Sequence, residues 1–161
     1  MINARTMIAL VLVLTLAGCG GGGGGGGETN APPAQPADAS FAEIGDHVVH
    51  FNALATDQLS ADIAKVYNIV RSKNRAMLNV SVLGREDNKA VTADVVVKTS
   101  NLTGQVKSVT MRQINEGDAI YYIGITPVAN RETLIFDLSI TPEGSSQSHD
   151  VRFQRQFYTD N

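Results

Sequence analysis

From Phe41 onward, the dominant spacing of apolar side chains in the sequence is two residues. Leu78, Val80 and Val82, for example, alternate with polar residues. Because successive side chains of an extended chain point to opposite faces, this period predicts strands with one face on a core and the other towards solvent. Seven strands are predicted, at residues 47–54, 76–83, 91–100, 105–114, 119–126, 133–140 and 149–158.

Turn-forming residues separate the predicted strands. Four of the six glycines beyond Ser40 lie in these connections, at Gly84, Gly104, Gly117 and Gly144. Short strands at an even spacing are typical of antiparallel sandwiches. The sequence therefore predicts an all-β fold, an antiparallel β-sandwich of about seven strands. It is immunoglobulin-like only in the broad sense, because the Cys…Trp…Cys pattern of antibody domains is absent.

One segment departs from the two-residue period. Ser60 is a favourable residue for the N-terminal cap of a helix, and Ile63, Val66 and Tyr67 follow at the spacing of a single helix face. This pattern predicts one short helix over residues 60–67. Because an isolated helix of this length does not persist in water, we expect it to pack across an open end of the sandwich.

The N-terminus has the features of a bacterial lipoprotein signal. Arg5 precedes a ten-residue apolar stretch that ends at Leu16. As a helix this stretch spans about 15 Å, half of a bilayer core, so it is too short to be a membrane-spanning helix. Leu16, Ala17, Gly18 and Cys19 then match the lipobox, which predicts cleavage before Cys19 and lipidation of its thiol.

The chain thus has three predicted parts: a lipoprotein signal peptide (1–18), the lipidated Cys19 with a Gly- and Pro-rich tether (19–40), and the β-sandwich domain (41–161). Gly20, rather than an aspartate, follows the cysteine, which favours sorting to the outer membrane of a Gram-negative cell, with the domain in the periplasm. Since Cys19 is the only cysteine, the domain has no disulfide and no thiolate.

Charge and side-chain chemistry exclude several classes of function. The chain has 13 Lys and Arg against 16 Asp and Glu, which argues against nucleic-acid binding. His47 and His50 are three positions apart in a predicted strand, so they point to opposite faces and cannot share a metal ion. The run Ser145–Asp150 contains serine, histidine and aspartate, but sequence neighbours rarely form a triad. We predict no catalytic residue, metal or cofactor, and no enzymatic activity.

Arg71, Lys73 and Arg75 place three cations within five residues, between the predicted helix and the next strand. Together with Asn74 they form a candidate site for an anionic ligand or partner. The alternative is a solvated connection whose charges pair with an acidic residue, Glu116 or Asp118.

Aromatic and charged residues near the ends of two strands form a second candidate surface. Tyr122 and Tyr158 are candidates for an exposed aromatic contact surface, and the alternative is that they are single exposed tyrosines without a binding role. Arg155 is in phase with the core residues of the last strand. We expect it to extend its guanidinium to the rim, where water solvates the charge, rather than to form a buried pair.

Three separated blocks of the domain carry a resemblance to a known family. They are Arg71–Val82, Glu116–Tyr122 and Gln156–Asp160. In this order they resemble the proteobacterial family called domain of unknown function 4426, over nearly all of residues 41–161. The resemblance implies a secreted or lipid-anchored β-rich domain of the cell envelope with no assigned activity, and it supplies no catalytic residue that could be carried over to this chain.

Together these features predict an outer-membrane-anchored periplasmic lipoprotein that serves as a binding or accessory module of the cell envelope. Its expected partners are the membrane, through the lipid on Cys19, and an envelope protein or an anionic envelope component. Two alternatives remain open at this stage. One is a periplasmic inhibitor or chaperone-like module that pairs through a sheet edge. The other, less favoured, is an envelope hydrolase.

Overall fold

The computed structural model describes residues 40–160. They form nine strands and one short α-helix, with a single turn of 3₁₀ helix (Thr56–Gln58) before the α-helix. The elements are β1 (Phe41–Ile44), β2 (His47–Ala55), α1 (Ala61–Val66), β3 (Arg75–Gly84), β4 (Ala93–Asn101), β5 (Val106–Lys107), β6 (Met111–Glu116), β7 (Ala119–Pro127), β8 (Glu132–Pro142) and β9 (His149–Phe157). The predicted signal peptide, Cys19 and the tether up to residue 39 lie outside the described residues.

The strands form two antiparallel sheets. One sheet has five strands in the order β1-β2-β3-β7-β6, and the other has four in the order β5-β4-β8-β9. Their inner faces share one core, to which β3 contributes Leu78, Val80 and Val82 and β8 contributes Phe136 and Leu138. The predicted antiparallel β-sandwich is confirmed. Between residues 40 and 160 there is no helix with the length and apolarity needed to cross a membrane.

Three phenylalanine rings connect the two sheets. Phe153 on β9 lies directly opposite Phe136 on β8, and their ring centroids are 4.8 Å apart. The ring of Phe51, on β2 of the other sheet, lies 4.7 Å from that of Phe153. Contacts of this kind contribute energy beyond the area that they bury. Phe153 therefore contacts an aromatic ring of each sheet.

The number of strands differs from the prediction in two places. The four residues of β1 are too few to establish a period, yet they pair with β2 through a tight turn in which Gly45 has a φ of 54°. The prediction of one strand over 105–114 is wrong. β5 pairs with β4 in the four-stranded sheet, whereas β6 pairs with β7 in the five-stranded sheet. Alternation of side chains carries no information on which sheet a strand joins.

Helix α1 begins where the sequence predicts, because the Ser60 hydroxyl accepts a hydrogen bond of 3.2 Å from the Ile63 N–H. Its predicted position across an open end of the sandwich is wrong. Ala64 packs with Met77 of β3 and Ile123 of β7, whose side chains point away from the core of the sandwich. The outer face of the five-stranded sheet is apolar here, and α1 covers it.

Candidate functional site

The predicted cation cluster lies in a connection that the backbone fixes. Thr56, in the 3₁₀ turn before α1, is fully buried. Its hydroxyl donates to the carbonyl of Val70 at 2.9 Å and accepts from the N–H of Ser72 at 2.9 Å. The N–H of Asn74 donates to the Ser72 hydroxyl at 3.1 Å, and the Asn74 carbonyl accepts from Val128 at 3.0 Å. Residues 70–75, the cation turn, are therefore well anchored and are not a loose linker.

The three cations of this turn make no ion pair with any described carboxylate. The Arg71 guanidinium donates to the backbone carbonyl of Asp57 at 2.7 Å. Arg75 is exposed at the first position of β3, and Lys73 is half-buried. Glu116, a partner considered from the sequence, instead accepts a hydrogen bond of 2.7 Å from another residue, the hydroxyl of Tyr67. The positive charge of the turn is thus not neutralised within the described domain.

A recess of about 410 Å³ lies beside this turn. It is lined by Ser72, Asn74, Arg75, Ile125, Thr126 and Pro127. Thr126 is buried, and its hydroxyl has no hydrogen-bond partner within residues 40–160. A recess with a guanidinium at its rim suits a carboxylate or phosphate, since arginine forms two parallel hydrogen bonds with either group.

The candidate surface of exposed Tyr122 and Tyr158 rings is wrong for Tyr122. Tyr122 lies in the core, and its hydroxyl accepts a hydrogen bond of 2.7 Å from the N–H of Ala93, on β4 of the opposite sheet. Tyr121 is the residue of this pair that points outward. Tyr158 is exposed and donates to the Gln156 side chain at 2.7 Å. Arg155 is exposed on β9, an edge strand of the four-stranded sheet.

A second recess lies between α1 and the outer face of the five-stranded sheet. Its volume is about 280 Å³, and its lining consists of Ile63, Tyr67, Met77, Asn79, Ile114, Glu116, Tyr121 and Ile123. Two residues of β6 hold Tyr67 at both ends. The Arg112 guanidinium donates to its backbone carbonyl, and its hydroxyl donates to Glu116. This hydrogen bond to a carboxylate raises the pKa of Tyr67 above its ordinary value.

The residues considered for metal binding and catalysis lie in β2, in β9 and in the connection before β9. No group of three or more His, Cys, Asp or Glu side chains within the described domain is arranged to hold a metal ion. Ser145 and Ser148 lie in the connection between β8 and β9, where the Ser148 hydroxyl is 2.8 Å from that of Ser139. His149 is the first residue of β9 and pairs with Ile140.

Sequence reasoning missed Thr56, the residue that anchors the cation turn. Its three hydrogen bonds reach the backbone of residues 14 and 16 positions later in the chain. A threonine at the end of a strand has no local pattern that distinguishes it from a solvated one. Only the neighbouring carbonyls and N–H groups, brought together by the fold, reveal its role.

Comparisons with known proteins agree with this architecture. The family model for the domain of unknown function DUF4426 matches residues 41–160. A crystal structure of a DUF4426 family protein from Pseudomonas aeruginosa is similar, with a TM-score of 0.66 and 29% sequence identity over 75% of this chain and 95% of that chain. FetP from uropathogenic Escherichia coli has a similar fold, with a TM-score of 0.53 and 11% identity over 75% of this chain and 94% of that one. No curated protein matches the chain.

Proposed function

This chain belongs to the DUF4426 family, and on that premise we propose that it is a lipid-anchored module of the outer membrane that binds an anionic component of the cell envelope. The cation turn carries the proposal. Its backbone is anchored by Thr56, its charges at Arg71, Lys73 and Arg75 have no carboxylate partner among the described residues, and a recess lies beside it.

The proposed location in the periplasm follows from the N-terminal sequence. A signal peptide that ends at a lipobox exports the chain and leaves Cys19 as its first residue. Several acyl chains on one residue anchor a protein stably, whereas a single chain is released readily. FetP, which has a similar fold, was expressed recombinantly in the periplasm of Escherichia coli, so the fold is compatible with that compartment.

We further propose that this module binds without catalysing a reaction. The residues that line the two recesses described above include no histidine and no cysteine, and Glu116 is their one carboxylate. A third recess, on the four-stranded sheet, is lined by Asp137 and Asp150, but Asp137 is held in an ion pair with Arg152. General acid–base catalysis at neutral pH uses side chains that gain or lose a proton near that pH, and two such side chains usually act together. These linings offer recognition by charge and apolar contact instead.

Cys19→Ala is expected to abolish membrane anchoring, because the domain has no second thiol that could be acylated. The measurement is metabolic labelling with a fatty-acid analogue, followed by separation of membrane and soluble fractions. Wild type should carry the label and sediment with membranes, and the variant should do neither. Label that persists on the variant would contradict the proposed anchor.

Arg71→Ala combined with Arg75→Ala is expected to weaken capture of the anionic component at least about tenfold, since hydrogen bonds to charged groups contribute more than neutral ones. The measurement is a pull-down from solubilised envelopes, repeated at rising salt. Capture by wild type should fall with salt, because exposed charges are screened beyond about 10 Å at 0.1 M.

The matched control for this experiment removes two cations from the other sheet. Lys98→Ala with Arg155→Ala changes the net charge equally, and both residues are exposed and outside the ion pairs of the described domain. The control should capture as wild type does. Equal capture by all three proteins would refute the proposed site. A lowered melting temperature in the Arg71 and Arg75 variant alone would show that the two arginines stabilise the fold, and it would also refute the site.

A further inference from the structure

Exposed apolar side chains lie directly before the cations of the turn. The exposed fractions of Ile63, Val66 and Val70 are 41%, 72% and 63%. Ile63 and Val66 are three positions apart on α1, so they share a helix face. Ala64 and Ile69 of the same stretch are buried against the sheet, and Ile63 lines the recess beside it, which leaves Val66 and Val70 as the most exposed apolar side chains of the stretch.

The same stretch is strongly basic. Residues 61–75 contain one acidic residue, Asp62, against the four basic residues Lys65, Arg71, Lys73 and Arg75. We propose that residues 63–75, the docking segment, lie on a membrane surface that carries anionic phospholipid headgroups. This inference rests on the proposed function and specifies its anionic component as the lipid bilayer.

Apolar and basic side chains act together at such a surface. Apolar residues leave water for the boundary between headgroups and acyl chains, and cations are attracted by the negative surface potential. Elsewhere in residues 40–160, exposed apolar side chains have fewer cations near them in the chain, as at Val96, which has only Lys98 two positions away. Leu102 and Val106 are also exposed around the connection from β4 to β5, but the neighbouring Lys107 forms an ion pair of 2.8 Å with Glu132.

The docking segment is already ordered in the described structure. The Tyr67 carbonyl and hydroxyl are held by Arg112 and Glu116, and Thr56 binds the backbone at Val70 and Ser72. Binding through a mobile segment usually costs free energy because the backbone must become ordered. Docking of this segment requires little further ordering and so avoids most of that cost.

The lipid anchor and the docking segment can reach the same bilayer. The 21 residues from Gly20 to Ser40 span at most about 70 Å. The carbonyl of Ser40 accepts a hydrogen bond of 2.9 Å from the Phe51 N–H, so the chain enters the sheet beside Phe51. β2 ends four residues later at Ala55, about 13 Å along the strand. Anchoring holds the segment at a high local concentration near lipid, so a weak surface contact is sufficient.

The test uses the lipidated full chain reconstituted into vesicles, with an environment-sensitive fluorophore on Val66→Cys. Since acylation occupies the Cys19 thiol, the new cysteine is the one free thiol of the sequence. We expect a blue-shifted, brighter emission in vesicles of phosphatidylglycerol and phosphatidylcholine, and an emission typical of water in phosphatidylcholine alone. Adding Arg71→Ala and Arg75→Ala should reduce the equilibrium constant for docking about 25-fold, at about fivefold for each cation.

Val106→Cys, labelled in the same way, is the matched control. Val106 is 80% exposed and lies outside the docking segment, so its emission should not depend on lipid charge. Emission from Val66→Cys that stays as water-like as that from Val106→Cys in anionic vesicles would overturn the inference, and so would equal shifts in both kinds of vesicle. If capture in the pull-down still requires Arg71 and Arg75 in that case, the proposed function survives and its anionic component is not the bilayer.

Discussion

Replacing Phe153 with alanine is expected to lower the free energy of unfolding by about 4 kcal/mol. Its ring is buried and contacts Phe51 of the five-stranded sheet and Phe136 of the four-stranded sheet, at centroid distances of 4.7 and 4.8 Å. Truncation would remove both contacts and leave a cavity at the junction of the two sheets. Close-packed β-structure around such a cavity relaxes only in part, so most of the lost energy is not recovered.

Urea denaturation measures this effect as a shift of the unfolding midpoint with an unchanged dependence on urea concentration. Tyr158→Ala removes an aromatic ring of similar size just beyond the same strand, but Tyr158 is exposed. That control should change the free energy of unfolding by no more than about 0.5 kcal/mol. A loss below about 1 kcal/mol for Phe153→Ala would mean that this ring does not hold the two sheets together.

Glu132→Ala is expected to cost about 3 kcal/mol, because it leaves a buried cation without its partner. The side chains of Glu132 and Lys107 are only 10% and 14% exposed, and their charged atoms are 2.8 Å apart. Glu132 also accepts hydrogen bonds of 3.0 Å from the Asn101 side chain and 2.8 Å from the Ala129 N–H. One carboxylate thus connects β8 to β4, β5 and the turn before β8, and its removal would leave the Lys107 ammonium and the Ala129 N–H without this acceptor, whereas the Asn101 amide would keep its hydrogen bond to Gln105.

The control for this variant is the exposed ion pair between Glu43 and Arg85, whose side chains are about half accessible to water. Glu43→Ala should cost no more than about 1 kcal/mol, as is usual for surface pairs. Thermal or urea unfolding of the two variants gives the comparison. Similar small losses in both would show that the Glu132 network is solvated in solution and contributes no more than a surface pair.

The same carboxylate predicts how stability depends on pH. Burial by itself would raise the pKa of Glu132, but hydrogen bonds from Lys107, Ala129 and Asn101 outweigh it and lower the pKa below its ordinary value of 4.5. A pKa lower in the folded than in the unfolded state stabilises the fold above that ordinary value, and the stabilisation is lost as pH falls below it. As pH falls through this acidic range, the free energy of unfolding should therefore decrease less in Glu132→Gln than in the wild type. Equal pH dependence in both proteins would contradict this assignment.

Much of the candidate site was predictable from the sequence, but its environment was not. Arg71, Lys73 and Arg75 stand out as a local concentration of charge, which needs no fold to be seen. Whether a carboxylate neutralises them depends on residues far along the chain. The structure answers this for the described domain by pairing Glu116 with Tyr67 and by placing Thr56 beneath the turn.

The sequence by itself determined most of the elements and their class of architecture, because side-chain alternation, turn glycines and the Ser60 cap act between residues close together in the chain. Only the tertiary structure decided which sheet received each half of residues 105–114, which face α1 covers, and that Tyr122 rather than Tyr121 points inward. These choices depend on burial summed over strands distant in sequence. A strand can present the same local pattern to either sheet, and the arrangement that buries the most apolar surface while pairing its polar groups is the one that forms.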